Sequence, residues 1–200
     1  TGVLPTLFYV SRRFGLSLRL EKPIAAAMRE AGPNFRPFLR FLDEKKTVSE
    51  VHIRALRGSR GLVATALYCD LYPVPWDFFS TIHAAADRGG FFATQAAIAL
   101  VLLKERKCSY EQVKYDTELK YLVAQILSEL AKPGENTDLR IEQAVVAVIS
   151  GNEKLLKPEV VRDIIAAQQR DGSWVKSQRA TANALWLLYE LKSLQRAAVR

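Results

Sequence analysis

Apolar positions along this chain recur at helical spacing and almost nowhere alternate. Val113, Leu119, Leu122, Val123, Ile126, Leu127 and Leu130 fall on one stripe with a period of about 3.6 residues, which predicts a long helix from Ser109 to about Lys132. No run combines period-two alternation with β-branched residues, and no Asn-Gly or Asp-Gly turn joins two such runs. Asp171-Gly172 has helical patterns on both sides. The predicted fold class is therefore all-α.

The punctuation places the remaining helices. Thr47 followed by Glu50 reads as a capping box opening a helix to Leu56. Gly61 to Tyr72 is apolar with small residues and is closed by Pro73. Pro75 suits the first turn of a helix through Trp76, Phe79, Ile82 and His83 that ends near Gly89-Gly90. Thr94 to Arg106 follows. Ser109 with Gln112 is a second capping-box pattern, and Pro133-Gly134 ends that helix. Thr137 or Asp138 caps a helix through Ile149 that stops at Gly151. Pro158 opens one to Gln169, and the last runs from about Gln178 to Ala198. Before residue 47 the pattern is less regular: Leu7 to Leu20, Ile24 to Ala31 and Phe35 to Asp43 look helical, broken by Pro5, Pro23, Pro33 and Pro37. About ten or eleven helices with short connections predict stacked antiparallel hairpins. The organisation is one all-α domain, 1–200, with N-terminal helices in 1–46 and a helical-hairpin core in 47–200.

Composition narrows the class only a little. Apolar residues are 49% and charged residues 25%, ordinary values for a folded soluble protein. The longest apolar stretch, Phe91 to Leu103, falls short of the roughly 18 residues of a membrane span. The uncharged opening decapeptide precedes Arg12 and Arg13, the reverse of a signal-peptide charge order. The chain starts at Thr rather than Met, so residues upstream stay open. Cys69 and Cys108 lie in no CxxC pair and near no spaced His pair. One disulfide between them is allowed but not demanded; the simpler reading is free, buried thiols of a reducing compartment, which weakly favours the cytoplasm. The net charge of +8 permits an acidic partner. The basic residues are spread along helices, however, as on a solvated surface. Phe38 and Phe41, beside the basic stretch Arg12 to Arg40, have the spacing of core packing. A base-stacking platform would need them exposed.

Two hairpins can be aligned. Asp87-Arg88-Gly89-Gly90-Phe91 leads into Thr94 to Leu103, and Gln168 to Trp174 leads into Thr181 to Leu188. Gly89 matches Gly172, Phe91 matches Trp174 and Thr94 matches Thr181. In each, a helix ends, glycine reverses the chain, an aromatic closes the turn and an apolar helix packs back. At Gln168, Gly172 and Trp174 the chain resembles the (α/α) toroid repeats of the terpenoid cyclase and protein prenyltransferase superfamily. The core of that family's QW motif has this same spacing. The resemblance covers the chain from Pro75 onward and implies a toroid-like or open partial toroid in the C-terminal half, with Gln168 and Trp174 tying neighbouring helices. Asp163 stands where that motif expects an aromatic, and the first copy has Ala85 for Gln and Phe91 for Trp.

The catalytic motifs of the family are missing. There is no DxDD or DDxxD. Cys69 precedes Asp70 directly, in place of an Asp-x-Cys zinc motif with a distant His. Cys69, Asp70 and His83 could meet across a hairpin, but the reading without a metal is preferred. No nucleophile elbow, Walker loop or dinucleotide fingerprint is present, and no cofactor is implied. The densest polar set in an apolar stretch is Asp70, Asp77, His83 and Asp87, with Trp76 among them. That set, together with Asp171 and Trp174, forms the candidate pocket. The leading expectation is a scaffold or binding domain without identifiable catalytic chemistry. The alternatives are an enzyme of the terpenoid cyclase-like class with an unrecognised site, and a basic helical-repeat nucleic-acid binder, which would need one continuous Lys/Arg face.

Overall fold

The computed structural model describes residues 3–108, 110–132 and 137–198, and every regular element among them is helical. The α-helices are α1 (Val3–Phe14), α2 (Glu21–Ala31), α3 (Glu50–Arg54), α4 (Gly58–Leu67), α5 (Phe78–Arg88), α6 (Gly90–Glu105), α7 (Gln112–Leu130), α8 (Thr137–Ile149), α9 (Pro158–Ala166) and α10 (Gln178–Ala198). Two 3-10 segments, Gly32–Phe41 and Glu153–Leu155, complete the set. Extended pairing among the described residues is confined to two isolated bridges, Gln168 with Trp174 and Trp174 with Ser177.

Local chemistry accounts for where several elements depart from the sequence pattern. The first helix stops at Phe14 rather than Leu20, because Gly15 takes a left-handed backbone with φ 64°. Residues 32–41 wind as a 3-10 helix rather than an α-helix. Pro33 stands at its start and Pro37 inside it, and Pro37 supplies no N–H and crowds the preceding turn. The Thr47–Glu50 capping box does not form. Helix α3 starts at Glu50, whose carboxylate pairs with Arg54 instead. Helix α4 starts at Gly58, earlier than Gly61, and ends at Leu67, before Tyr72. A Cβ at Gly61 would lie 2.8 Å from the Leu56 carbonyl oxygen, so the chain folds back there only without a side chain. Ser109 and Pro133-Gly134 lie outside the described residues.

The packing follows a simple alternation along the chain. Helix α1 packs on the 3-10 segment Gly32–Phe41, that segment on α4, α4 on α6, α6 on α8, α8 on α10, and α10 on α1. These six elements form a closed circuit of contacts. The helices between them in sequence each pack on a member of this circuit: α2 against the 3-10 segment, α3 against α4, α5 and α7 against α6, and α9 against α8. Burial follows position in this arrangement. Helix α2 has no buried residue and α3 only Ile53, whereas α6 is buried continuously from Ala96 to Leu103. Ala93, Ala96, Ala97 and Ala99 let the flanking helices approach α6, while Leu100 and Leu103 fill the space between. Burying each such leucine contributes about 1.5–3 kcal/mol.

Candidate functional site

All six elements of this circuit contribute to one cavity of about 420 Å³, within the range of small-molecule sites. Its walls are mainly aromatic and aliphatic: Tyr9 from α1, Phe35 and Phe38 from the 3-10 segment, Val63 from α4, Ile98 from α6 and Trp186 from α10. Polar groups on the wall include Gln95, Glu142 and Arg179.

Helices α8 and α10 lie side by side, and residues four apart on each face one another. On α8 these are Asp138 and Glu142; on α10 they are Arg179 and Asn183. One turn holds an ion pair, Arg179 to Asp138 at 3.1 Å, with the guanidinium also lying 3.7 Å from the Phe91 ring centre. At the next turn the partners among the described residues are neutral. Glu142, only 2% exposed, accepts from the Thr94 hydroxyl at 2.5 Å, from Gln95 Nε2 at 2.8 Å and from Asn183 Nδ2 at 3.1 Å. Buried charge needs such partners, and three neutral donors supply them here.

A second network ties α1 to α6 and α10. The Tyr9 hydroxyl donates to Glu105 at 2.7 Å, Arg13 bridges Glu105 and Glu190, and Trp186 Nε1 donates to Glu190 at 3.1 Å. Burial first, then the neighbouring Glu105 carboxylate, pushes the Tyr9 phenol far above its ordinary range. This hydroxyl stays protonated as a structural donor.

A second cavity, about 810 Å³, lies between α1, α2, α10 and the turn before α10, and shares Val3, Ala31 and Phe35 with the first. Asp171 lines it. Of the seven residues proposed from sequence, Asp171 is the one that reaches either cavity. Its carboxylate accepts from the Ser173 amide and hydroxyl, and these two bonds hold it below the usual carboxylate range. Trp174 is buried in the hairpin turn. Trp76 is 95% exposed. Asp77 sits at the start of α5, where its carbonyl accepts from Ser80 and Thr81. His83 is exposed, 3.0 Å from Glu118 and 4.0 Å from Asp87, and stacks on Tyr121, whose hydroxyl donates to Asp87. The structure thus groups His83 and Asp87 on the outer surface and leaves Asp70 elsewhere, paired with Arg40.

Cys69 and Cys108 are joined in a disulfide, which corrects the expectation of free thiols and removes Cys69 as a zinc thiolate. The bond links the chain just beyond α4 to the chain just beyond α6. Disulfides persist in oxidising compartments, so the cysteines no longer favour the cytoplasm. Among the described residues no cluster of three or more His, Cys, Asp or Glu is placed to hold a metal ion. Nor is any helix among them long and apolar enough to cross a membrane. Several arginines are engaged in ion pairs: Arg12 and Arg106 with Glu44, Arg40 with Asp70, Arg54 with Glu50. Phe35, Phe38 and Phe41 are buried rather than available for stacking.

Glu142, Thr94, Gln95 and Asn183 escaped the sequence reading. The signal for Glu142 was a lone acid inside the apolar run Ile141 to Ile149, since a charge on an otherwise buried helix needs a reason. Comparison with known proteins finds no matching family model, no matching curated sequence and no matching solved structure.

Proposed function

We propose that this chain is a toroid-like helical-hairpin domain that binds an apolar small molecule in its central cavity. The observation that carries the reading is the cavity itself: its walls are drawn from six separate elements, four of which supply aromatic side chains, with Gln95, Glu142 and Arg179 among its polar groups. The closed circuit of contacts among alternate elements supports the toroid-like part, as does the Trp174 turn between α9 and α10. The resemblance to terpenoid cyclase repeats therefore extends, in this proposal, through α1 and the 3-10 segment at the N-terminal end.

The test is titration with N-phenylnaphthylamine, a neutral apolar fluorophore, against wild type and the cavity-filling variants Val63→Trp and Ile98→Trp. Saturable enhancement in wild type, lost in variants that keep wild-type circular dichroism, is the expected result. Equal binding by the filled variants would sink the proposal.

One observation favours a second reading, an enzyme acting in the same cavity: a buried carboxylate, Glu142, lies on its wall and is oriented by three donors. In that reading Glu142 is the acid–base group. Glu142→Gln should then abolish turnover of a ligand that the variant still binds.

A further inference from the structure

We infer that the ligand of the central cavity is amphipathic: an apolar body with a hydrogen-bond donor head, a hydroxyl or a protonated amine, that binds Glu142. The inference rests on the cavity reading above and adds the chemistry of the head.

The argument turns on unequal pairing along α8. Asp138 has a full cationic partner in Arg179. Glu142, one turn further on, has only neutral donors among the described residues. Its Oε1 receives two of them, Thr94 and Gln95, while Oε2 receives one, Asn183. A carboxylate accepts about four hydrogen bonds, two on each oxygen, so Oε2 retains capacity in a group that lines the cavity. The Arg179 guanidinium is committed to Asp138 and to the face of Phe91, and Arg60 is itself engaged. A donor entering with the ligand would complete the set at a carboxylate only 2% exposed, where a charge-assisted bond is stronger than in water. A ligand carboxylate would instead face Glu142 as a like charge.

The head chemistry is separable from the cavity by a chain-matched series: decanol, decylamine, decyl methyl ether and sodium decanoate, measured by calorimetry or by displacement of N-phenylnaphthylamine. Decanol and decylamine are expected to bind roughly tenfold or more tighter than the ether and the decanoate. The tighter of the two identifies whether the natural head is neutral or cationic. In Glu142→Gln, checked for fold by circular dichroism, this preference should shrink and decanoate should gain. Equal binding of all four overturns the Glu142 inference and leaves the cavity reading standing, as does a donor preference that Glu142→Gln leaves unchanged. Failure of all four to bind overturns both.

Discussion

The indole Nε1 of Trp174 donates to the carbonyl oxygen of Ile164 at 2.6 Å, tying the turn before α10 back onto α9. Trp174 is 2% exposed, and its backbone amide donates to the Thr181 hydroxyl at 3.0 Å, so both ring and backbone are anchored. The other member of the resemblance, Gln168, makes one exposed bond to the Gly172 carbonyl at 3.2 Å. The two residues should therefore differ sharply in cost. Trp174→Phe leaves a buried carbonyl without its donor and should destabilise by about 1–3 kcal/mol. Trp174→Ala adds a cavity and should cost about 3–5 kcal/mol. Gln168→Ala should stay within about 0.5 kcal/mol. Urea denaturation of the three variants checks the order. A Gln168→Ala loss equal to that of Trp174→Phe would show that the turn is held differently.

The disulfide closes a sequence separation of 39 residues and joins the exits of α4 and α6, two helices packed on each other. Chain-entropy arithmetic for a loop of that size gives about 4 kcal/mol from restricting the unfolded chain. The Cys69→Ser/Cys108→Ser double variant should unfold at lower denaturant by about that amount. Alkylation of denatured wild type should label neither cysteine until a reductant is added, as mass spectrometry would read. Labelling of both without reductant would mean the bond is absent.

How far the sequence could carry this picture depended on whether a boundary was set locally. Helix α10 runs from Gln178 to Ala198 as its apolar pattern predicts. Pro158 opens α9 as expected, since both signals lie within a turn of the boundary they fix. The 3-10 winding of 32–41 was hidden because two prolines four residues apart are compatible with several local conformations, and tertiary packing of Phe35, Phe38 and Phe41 selects one. The cavity was illegible for a different reason. It exists only because α1 packs on α10, at opposite ends of the chain, and no local pattern announces that closure. The proposed polar set favoured turns and helix ends such as Asp77 and Asp87, where acids meet water. The buried acid, Glu142, sat inside an apolar helix, and its partners Thr94 and Asn183 become neighbours only once α6, α8 and α10 are assembled.

Arg40 is 4% exposed and meets Asp70 through two bonds of 2.6 Å, with its Nη1 also donating to the Leu67 carbonyl. Burial alone would raise the Asp70 carboxyl, but the hydrogen bonds and charge of Arg40 outweigh it and hold the group below its ordinary value. A depressed carboxyl stabilises the fold above its unfolded value of about 3.9, and that contribution is lost as pH falls through the folded value. Asp70→Asn should therefore lower stability near neutral pH and flatten the acid limb of a stability-versus-pH curve. The loss should be nearer about 2 kcal/mol than the full cost of breaking a buried pair, because Asp70 is 34% exposed and water screens it. Parallel acid limbs in the two proteins would exclude this pairing.

His83 offers the opposite sign at an exposed site. Its Nδ1 lies 3.0 Å from Glu118 on α7, and its ring stacks on Tyr121 with centroids 5.2 Å apart. The hydrogen bond to Glu118 and then the charge of that carboxylate raise the imidazole above its ordinary value, with Asp87 adding to the effect and desolvation opposing it. A raised imidazole stabilises the fold fully below its unfolded value of about 6.5, and the contribution disappears as pH rises through the folded value. The α5–α7 contact should thus loosen across neutral pH rather than in acid. In an NMR titration of the His83 Cε1 proton, Glu118→Gln should move the midpoint down, and Asp87→Asn should move it down by less. An unchanged midpoint in Glu118→Gln would mean that the two side chains do not meet in solution. The larger shift from Glu118 follows from geometry, because its oxygen is at hydrogen-bond distance while that of Asp87 stands 4.0 Å away.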